Sequence, residues 1–156
     1  MADIFSEKKR SDIMSKVKGK DTKPEMLIRS ALHRLGYRYS LHKKGLPGKP
    51  DLYFRKYNAV IEVNGCFWHG HDCHFFSLPQ TRTDLWRKKI NNNKKRDIEN
   101  LEKLKEMGLR VLLVWECAIK GKNSYTFEDL IKEIESWLKS DIRFKEISGT
   151  DHSSSK

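Results

Sequence analysis

The chain has 156 residues, of which 37% are hydrophobic, and this predicts one domain with a single modest core. No apolar run approaches the ~20 residues of a transmembrane helix, and the N-terminal sequence lacks the apolar core of a signal peptide. We therefore expect a cytoplasmic protein. The formal net charge of +11 favours a polyanionic partner, either nucleic acid or an anionic membrane, although a solvated basic surface gives the same sum.

The predicted elements begin with a basic arm over residues 1–20, in which residues 6–18 have the composition of a short helix. The sequence TKPE at residues 22–25 is typical of a capping box with a proline in the first turn. It predicts a helix that ends at Gly36, since glycine commonly ends helices. A short strand is expected next, over residues 37–41.

Two strands are predicted in the middle of the chain, over residues 51–55 and 59–63, with a turn at 56–58 between them. The segment that follows, residues 64–82, shows neither helical nor strand periodicity, so we expect a loop. A long helix is predicted over residues 83–107. Its apolar stripe is expected to consist of Ile98, Leu101 and Leu104.

The last part of the chain predicts a strand and a helix. Residues 109–115 are continuously apolar, as in strands that are buried on both faces. Thr126 is predicted to cap a helix, and the residues expected to face inward are Leu130, Ile131, Ile134, Trp137 and Leu138. The order of elements predicts an α/β fold, a mixed β-sheet flanked by helices. We expect a single domain over residues 1–144 and a disordered tail over residues 145–156.

The loop contains a set of possible metal ligands. Cys66, His71 and Cys73 lie within eight residues, and Cys117 is the last of the three cysteines in the chain. Three thiolates and one imidazole are a standard ligand set for structural zinc, and a metal would order a loop that has no core of its own. The competing ligands are His69, Asp72 and His74. Three buried free thiols are the alternative to a metal site.

A second set of residues carries carboxylates. Asp51 begins one predicted strand and Glu62 lies near the end of its neighbour, so the two side chains could hold a hard cation such as Mg²⁺ between them. The spacing is similar to the PD…(D/E)xK pattern of restriction endonucleases, but Asn64 stands where lysine is usual. Glu25 is a further possible ligand, or only the carboxylate of its capping box. His69 is free for proton transfer if His71 is the zinc ligand.

Four sequence blocks occur in one order along the chain. They are Pro47-Gly48-Lys49-Pro50-Asp51, Gly65-Cys66-Phe67-Trp68-His69, Trp86-x2-Lys89-Ile90-x2-Asn93-x3-Asp97 and Arg110-Val111-x3-Trp115-Glu116-Cys117. Together they closely resemble the very short patch repair (Vsr) mismatch endonucleases. The resemblance covers about residues 8–139, nearly the whole predicted fold.

The resemblance implies a restriction-endonuclease-like fold and a nuclease that acts on double-stranded DNA with a T:G mismatch. Such mismatches arise when 5-methylcytosine deaminates, and the family nicks the strand that carries the T, on the 5′ side of that base. The reaction depends on Mg²⁺, and a structural Zn²⁺ supports the recognition region. A nucleoid-associated monomer is expected, with no membrane partner and with a possible link to other mismatch-repair proteins.

The resemblance also assigns roles to individual residues. Asp51 and His69 fall on the catalytic positions, Glu25 on the glutamate that orders a water at the metal, and Val63 on the main-chain carbonyl that binds magnesium beside Asp51. Glu62 is either a direct metal ligand or a spectator. Asn64, where other members carry histidine or aspartate, could hold a water but could not act as a base. The zinc ligands fall on Cys66, His71, Cys73 and Cys117.

Adjacent aromatic residues in the loop predict a way of reading the mismatch. Apolar side chains that insert between base pairs unstack them, and a mismatched step costs less to open than a matched one. Core packing is the alternative, and it is the interpretation expected for Trp115 and Trp137. The residues that the resemblance places against DNA are Phe67, Trp68, Trp86, Lys89, Asn93 and Met14.

Two other functions remain open on the sequence. A non-catalytic, zinc-stabilised DNA-binding module would have no use for the carboxylates Asp51 and Glu62 beside His69. A restriction-type endonuclease of the same fold would cut both strands of matched DNA. The small size of the chain and the adjacent aromatics favour nicking at a mismatch.

Overall fold

A computed structural model describes residues 22–73 and 76–149 of the chain. The helices are α1 (Lys23–Arg34), α2 (Thr83–Glu106), α3 (Glu116–Ile119) and α4 (Phe127–Leu138). The strands are β1 (Ser40–Leu41), β2 (Leu52–Phe54), β3 (Ala59–Asn64), β4 (Arg110–Trp115) and β5 (Phe144–Ile147), and a short 3₁₀ turn covers Arg55–Tyr57. The predicted basic arm, with Met14, lies outside the described residues.

The five strands form one mixed sheet in the order β1-β2-β3-β4-β5. Strands β1, β2 and β3 are antiparallel neighbours, and β4 and β5 each pair in parallel with the strand before them in the sheet. The parallel pair of β3 and β4 needs a long crossover, and helix α2 supplies it. The predicted α/β architecture is therefore confirmed.

One face of the sheet packs against α1 and α4. The capping interactions predicted from the sequence fix both helix starts, because the Thr22 and Thr126 hydroxyls accept hydrogen bonds from the N–H groups three residues later. The helices contribute Ile28, Ala31, Leu32, Leu130, Ile131, Ile134, Trp137 and Leu138 to the main core. All five inward-facing residues predicted for α4 are buried.

Helix α2 covers the opposite face with a smaller cluster. Leu104 packs there with Val60 and Val111, and Leu101 is partly buried beside them. The predicted place of Ile98 in this stripe is wrong, since its side chain is 61% exposed. Ile90, nearer the start of the same helix, is buried instead. Within the described residues, no helix is long and apolar enough to cross a membrane.

The predicted boundary at residue 144 is also wrong. Residues 144–147 form β5, which pairs with β4 from Val111 to Val114. Ile147 is buried in the main core, Ser148 is buried after the strand, and the Gly149 N–H donates to the Cys117 Sγ. The exposed edge of β4 supplies the partner that orders this segment, so the fold extends to at least residue 149.

Candidate active site and metal centre

Asp51 lies immediately before β2, where the antiparallel pair brings it beside the end of β3. Its Oδ2 accepts a hydrogen bond of 2.7 Å from the Val63 N–H. Burial raises the pKa of Asp51 to about 8, the carboxylates of Glu25 and Glu62 add to the rise, and the Val63 N–H opposes it. A divalent cation that binds this carboxylate must therefore displace a proton near neutral pH.

Glu25 reaches the same place from the first turn of α1. Its side chain is buried, and its Oε2 accepts a hydrogen bond of 2.7 Å from the Arg29 guanidinium one turn later. Negative charge is favourable at a helix N-terminus, where the first backbone N–H groups have no partner within the helix. The two carboxylates of Glu25 and Asp51 thus meet at one end of the sheet.

A third side chain, which the sequence did not predict, completes this group. The Nε2 atom of His42 lies 2.9 Å from Glu25 Oε2 and 3.7 Å from Asp51 Oδ1. One ligand atom from each of the three residues lies within 4.8 Å of the others, a spacing suited to a metal ion. His42 comes directly after β1, so strand pairing places it opposite Asp51.

Glu62 is not part of that group. Its neighbour two residues earlier, Val60, packs under α2, and alternation along a strand points Glu62 to the same face. Burial raises the pKa of Glu62 to about 7, Asp97 raises it further, and His69 lowers it. The charge of Glu62 thus interacts with those of Asp97 and His69, and it also acts on the carboxylate of Asp51. Asn64 is buried at the end of the same strand.

His69 forms a pair with Asp97 of α2. Its Nδ1 lies 2.5 Å from Asp97 Oδ2, and both side chains are partly exposed. A carboxylate on Nδ1 fixes the tautomer and leaves Nε2 as the atom available for proton exchange. The pair thus has the arrangement of an oriented general acid or base.

The four predicted zinc ligands come together. Cys66, His71, Cys73 and Cys117 each offer an atom within 4.8 Å of the others, and the Cys117 Sγ lies 3.7 Å from His71 Nδ1. Burial raises the pKa of the Cys66 and Cys117 thiols, because a thiolate is poorly solvated there. A cation that binds the cluster would replace these protons, so the group can hold a metal ion.

Neighbouring groups fix the geometry of this cluster. The His71 ring stacks on Trp115 with centroids 4.1 Å apart and planes at 9°, and the Cys66 N–H donates to Glu116. The Gly149 N–H donates to the Cys117 Sγ at 3.3 Å. A Cβ on Gly149 would collide with carbonyl oxygens, so glycine is required for this approach. Trp115 is buried as predicted, but it packs on the cluster of cysteines and His71.

An aromatic cluster lies beside these candidate metal ligands. Phe67 contacts Trp68 and Trp86 with centroid distances of 5.4 and 5.6 Å, and Trp68 lies 6.0 Å from Trp86. All three side chains are half-buried, so each leaves a face in contact with solvent. The Lys89 ammonium lies 5.5 Å from the centroids of Trp68 and of Trp86. Asn93 donates a hydrogen bond of 3.0 Å to the Trp68 carbonyl and thereby supports the loop.

Comparison with known proteins decides the family. A sequence profile described as DNA mismatch endonuclease Vsr matches residues 2–75. The DNA mismatch endonuclease Vsr of Escherichia coli (strain K12) is 40% identical over 138 residues, which cover 88% of this chain and 88% of that protein. The chain belongs to the Vsr family of DNA mismatch endonucleases.

Two nicking enzymes are also similar to the chain. The type II nicking enzyme V.NmeAIP of Neisseria meningitidis serogroup A is 45% identical over 122 residues, 78% of this chain and 87% of that enzyme. The type II nicking enzyme V.XorIIP of Xanthomonas oryzae pv. oryzae is 44% identical over 119 residues, 76% of this chain and 88% of that enzyme. The Vsr-family chain is thus a DNA endonuclease, a hydrolase whose polyanionic partner is DNA.

Sequence reasoning missed two residues that the structure brings to the candidate site, His42 and Asp97. Asp97 stands in the third sequence block, one helical turn after Asn93, so a shared helix face could have suggested it. His42 carries no motif signal. It becomes visible once the strand ending at Leu41 is paired with the strand beginning at Leu52, which places the next residues of both strands opposite each other.

Proposed function

We propose that the chain nicks DNA on the 5′ side of the T in T:G mismatches that arise from 5-methylcytosine deamination. Hydrolysis of the phosphodiester bond would depend on Mg²⁺ and would start very short patch repair. The observation that carries this proposal is that the chain brings together two groups of different chemistry. One is the set of Glu25, His42 and Asp51, and the other is the pair of His69 and Asp97. Glu62 interacts electrostatically with Asp51 and with that pair.

The carboxylates fit a hard divalent cation. Mg²⁺ takes a few carboxylate oxygens, waters and substrate phosphate as ligands, and Asp51 and Glu25 offer such oxygens. A cation there would polarise the scissile phosphate and favour attack by water. The Val63 N–H donates to Asp51, and this hydrogen bond holds the end of β3 beside the carboxylate. The carbonyl of Val63 is therefore the proposed main-chain ligand.

Within this proposal, His69 moves the proton. Asp97 holds the imidazole through Nδ1, and Nε2 then exchanges a proton with the reacting water or with the leaving oxygen. The pKa of Glu62 is about 7, and its charge responds to His69 and Asp97 and in turn acts on Asp51. Asn64, buried at the strand end, positions water but takes no proton, since an amide is not a base near neutral pH.

We assign structural Zn²⁺ to the cysteine cluster. Four protein ligands close a tetrahedron, whereas a catalytic zinc keeps a position open. The ligands Cys66, His71 and Cys73 bracket the aromatic residues of the loop, and Cys117 ties them to the end of β4. With the loop held at these points, Phe67 and Trp68 could insert between stacked base pairs without a change in the loop conformation. Lys89, above both tryptophans, brings a positive charge for the DNA.

One assay separates this function from its rivals. The protein is incubated with Mg²⁺ and a duplex that carries one T:G pair in a CT(A/T)GG-type context, beside a fully paired duplex of the same sequence. We expect a nick only in the T strand of the mismatched duplex. Binding without cleavage would indicate a DNA-binding module. Equal cleavage of both strands in the paired duplex would indicate a restriction-type enzyme. A single active site cuts one strand, so a monomer suffices.

A further inference from the structure

We propose that His42 is a nitrogen ligand of the divalent cation that Glu25 and Asp51 hold. The cation site is then a mixed one, with two carboxylates and an imidazole, and it binds Mn²⁺ in preference to Mg²⁺. This inference rests on the proposed metal-dependent nuclease. It concerns which cation the site selects, a property that can be measured without DNA.

The backbone holds His42 firmly in this position. Its N–H donates a hydrogen bond of 3.1 Å to the carbonyl of Asp51, which continues the β1–β2 ladder by one residue. Its φ is +46°, in the left-handed region that residues other than glycine seldom adopt. Strained backbone of this kind persists where the surrounding structure enforces it, and it is concentrated at functional sites. The side chain of His42 is thus aimed at the carboxylates by its backbone.

The contacts of the imidazole have the geometry of ligands that share one centre. The His42 Nε2 atom lies 2.9 Å from Glu25 Oε2, yet it is buried and has no partner in hydrogen-bonding geometry. Adjacent ligands around an octahedral ion with bonds of ~2.1 Å are separated by about 3 Å, because their bonds to the ion meet at a right angle. A hydrogen-bonded pair would instead direct the N–H at the oxygen.

A purely structural role for His42 is less consistent with its surroundings. Glu25 Oε2 already accepts a hydrogen bond of 2.7 Å from Arg29, which neutralises and orients that carboxylate. Asp51 is likewise oriented, through Val63. The imidazole is not required to hold either carboxylate in place. Its nitrogen adds a donor of a different chemical kind to the group.

That donor changes the preference between cations. Mg²⁺ is a hard ion that selects oxygen ligands, whereas imidazole suits the first-row transition metals, and Mn²⁺ accepts both kinds. Replacement of one oxygen by nitrogen therefore increases the affinity for Mn²⁺ relative to Mg²⁺. Glutamine at position 42 would remove the nitrogen ligand and retain a neutral polar side chain.

The test uses the full chain loaded with one equivalent of zinc, so that the cysteine cluster is filled. Affinities for Mn²⁺ and Mg²⁺ are measured by titration calorimetry in the wild type, in His42→Gln and in His33→Gln, which changes an exposed histidine of α1. We expect His42→Gln to weaken Mn²⁺ binding at least about tenfold and Mg²⁺ binding less than about threefold. His33→Gln should change neither affinity.

Electron spin echo spectra of bound Mn²⁺ give a direct readout of the ligand. Modulation by a coordinated ¹⁴N should be present in the wild type and in His33→Gln, and absent from His42→Gln. Equal loss of affinity for both cations, or ¹⁴N modulation that persists in His42→Gln, would overturn the inference. If His42→Gln does not fold, the wild-type spectrum decides alone, since an absence of ¹⁴N modulation rejects the ligand.

The experiments distinguish a failure of this inference from a failure of the proposed nuclease function. Nicking of the T:G duplex without any ¹⁴N modulation would leave the proposed function standing and reject His42 as a ligand. Loss of ¹⁴N modulation in His42→Gln, in a protein that nicks no duplex, would establish the mixed metal site and reject the mismatch nuclease.

Discussion

Two groups of possible metal-binding side chains, each with its donor atoms within 4.8 Å of one another, differ in almost every other respect. Cys66, His71, Cys73 and Cys117 form a set of four donors, backed by the stacked ring of Trp115. Such a set leaves no room for another ligand around a tetrahedral ion. The cysteine cluster is therefore suited to a metal ion that stabilises the fold.

The carboxylate group has three donors, from α1, from the residue after β1 and from the residue before β2. Its members Glu25 and Asp51 would repel each other when both are ionised, and burial strengthens that effect. Three donors leave positions on an octahedral ion for water and phosphate. A protein thus leaves coordination positions open at a metal site for chemistry, whereas it fills all of them at a metal site for structure.

The largest expected effect comes from breaking the carboxylate group. Asp51→Asn should reduce T:G nicking at least about 10³-fold, because the amide cannot replace an anionic ligand of the cation. Stability should remain or rise, since the cost of burying this acidic group is removed. Single-turnover nicking and thermal unfolding measure the two effects. Asp141→Asn, at an exposed site, is the control, and a large loss of stability in Asp51→Asn would contradict this division of roles.

A substitution in the cysteine cluster should have its main effect on stability. Cys117→Ala should lose zinc and lower the free energy of unfolding by about 3 kcal/mol or more, because the loop loses its tie to β4. Nicking should fall together with stability, because the loop that carries Phe67, Trp68 and His69 is no longer held in place. Zinc per chain and chemical denaturation measure this, with chelator-treated wild type as reference. A variant that retains one zinc per chain and full stability would show that Cys117 is not a ligand.

A smaller effect should define how far the chemical site extends across the sheet. Asp97→Asn should reduce the nicking rate about 10²-fold with little change in stability, because His69 loses the partner that selects its tautomer. Asp84→Asn, on the same helix and fully exposed, serves as control. A rate within about threefold of the wild type would place His69 and Asp97 outside the chemistry.

The smallest effect is expected from a change in the aromatic cluster. Trp68→Ala should reduce the discrimination between T:G and paired duplexes about tenfold, as expected from the loss of ~1–3 kcal/mol of stacking. General affinity for paired DNA should change much less, and Trp68→Phe should restore part of the discrimination. Competition binding and nicking of both duplexes provide the measurement. An equal loss on paired DNA would count against insertion into the base stack.

The sequence predicted those parts of the molecule whose signal is local. Three ligands of the cysteine cluster lie within eight residues, and Cys117 was the one thiol left to complete the set. The helix starts at Thr22 and Thr126 followed from capping residues, which act over three positions. Amphipathic spacing also gave every buried residue of α4. In each case, interactions between residues close together in the sequence were sufficient for the prediction.

The parts that were missed depend on pairing between distant segments. His42 joins Asp51 only through the register of β1 and β2, and a two-residue strand has no periodicity from which to predict that register. Strand β5 was assigned to a disordered tail because its four residues are ordered by the edge of β4 rather than by their own pattern. Ile98 follows helical spacing, yet its side chain is exposed to solvent, and spacing alone did not show which residues of α2 face the sheet.

The hydrogen bond from Gly149 to Cys117 has a consequence for the order of events during synthesis. Cys66, His71 and Cys73 leave the ribosome long before β5, and domains fold as units once their interacting segments are available. We expect the cluster to reach its final geometry only after residue 149 has emerged and paired beside β4. A nuclease whose loop stays loose until then would be restrained from cutting DNA while it is still being translated.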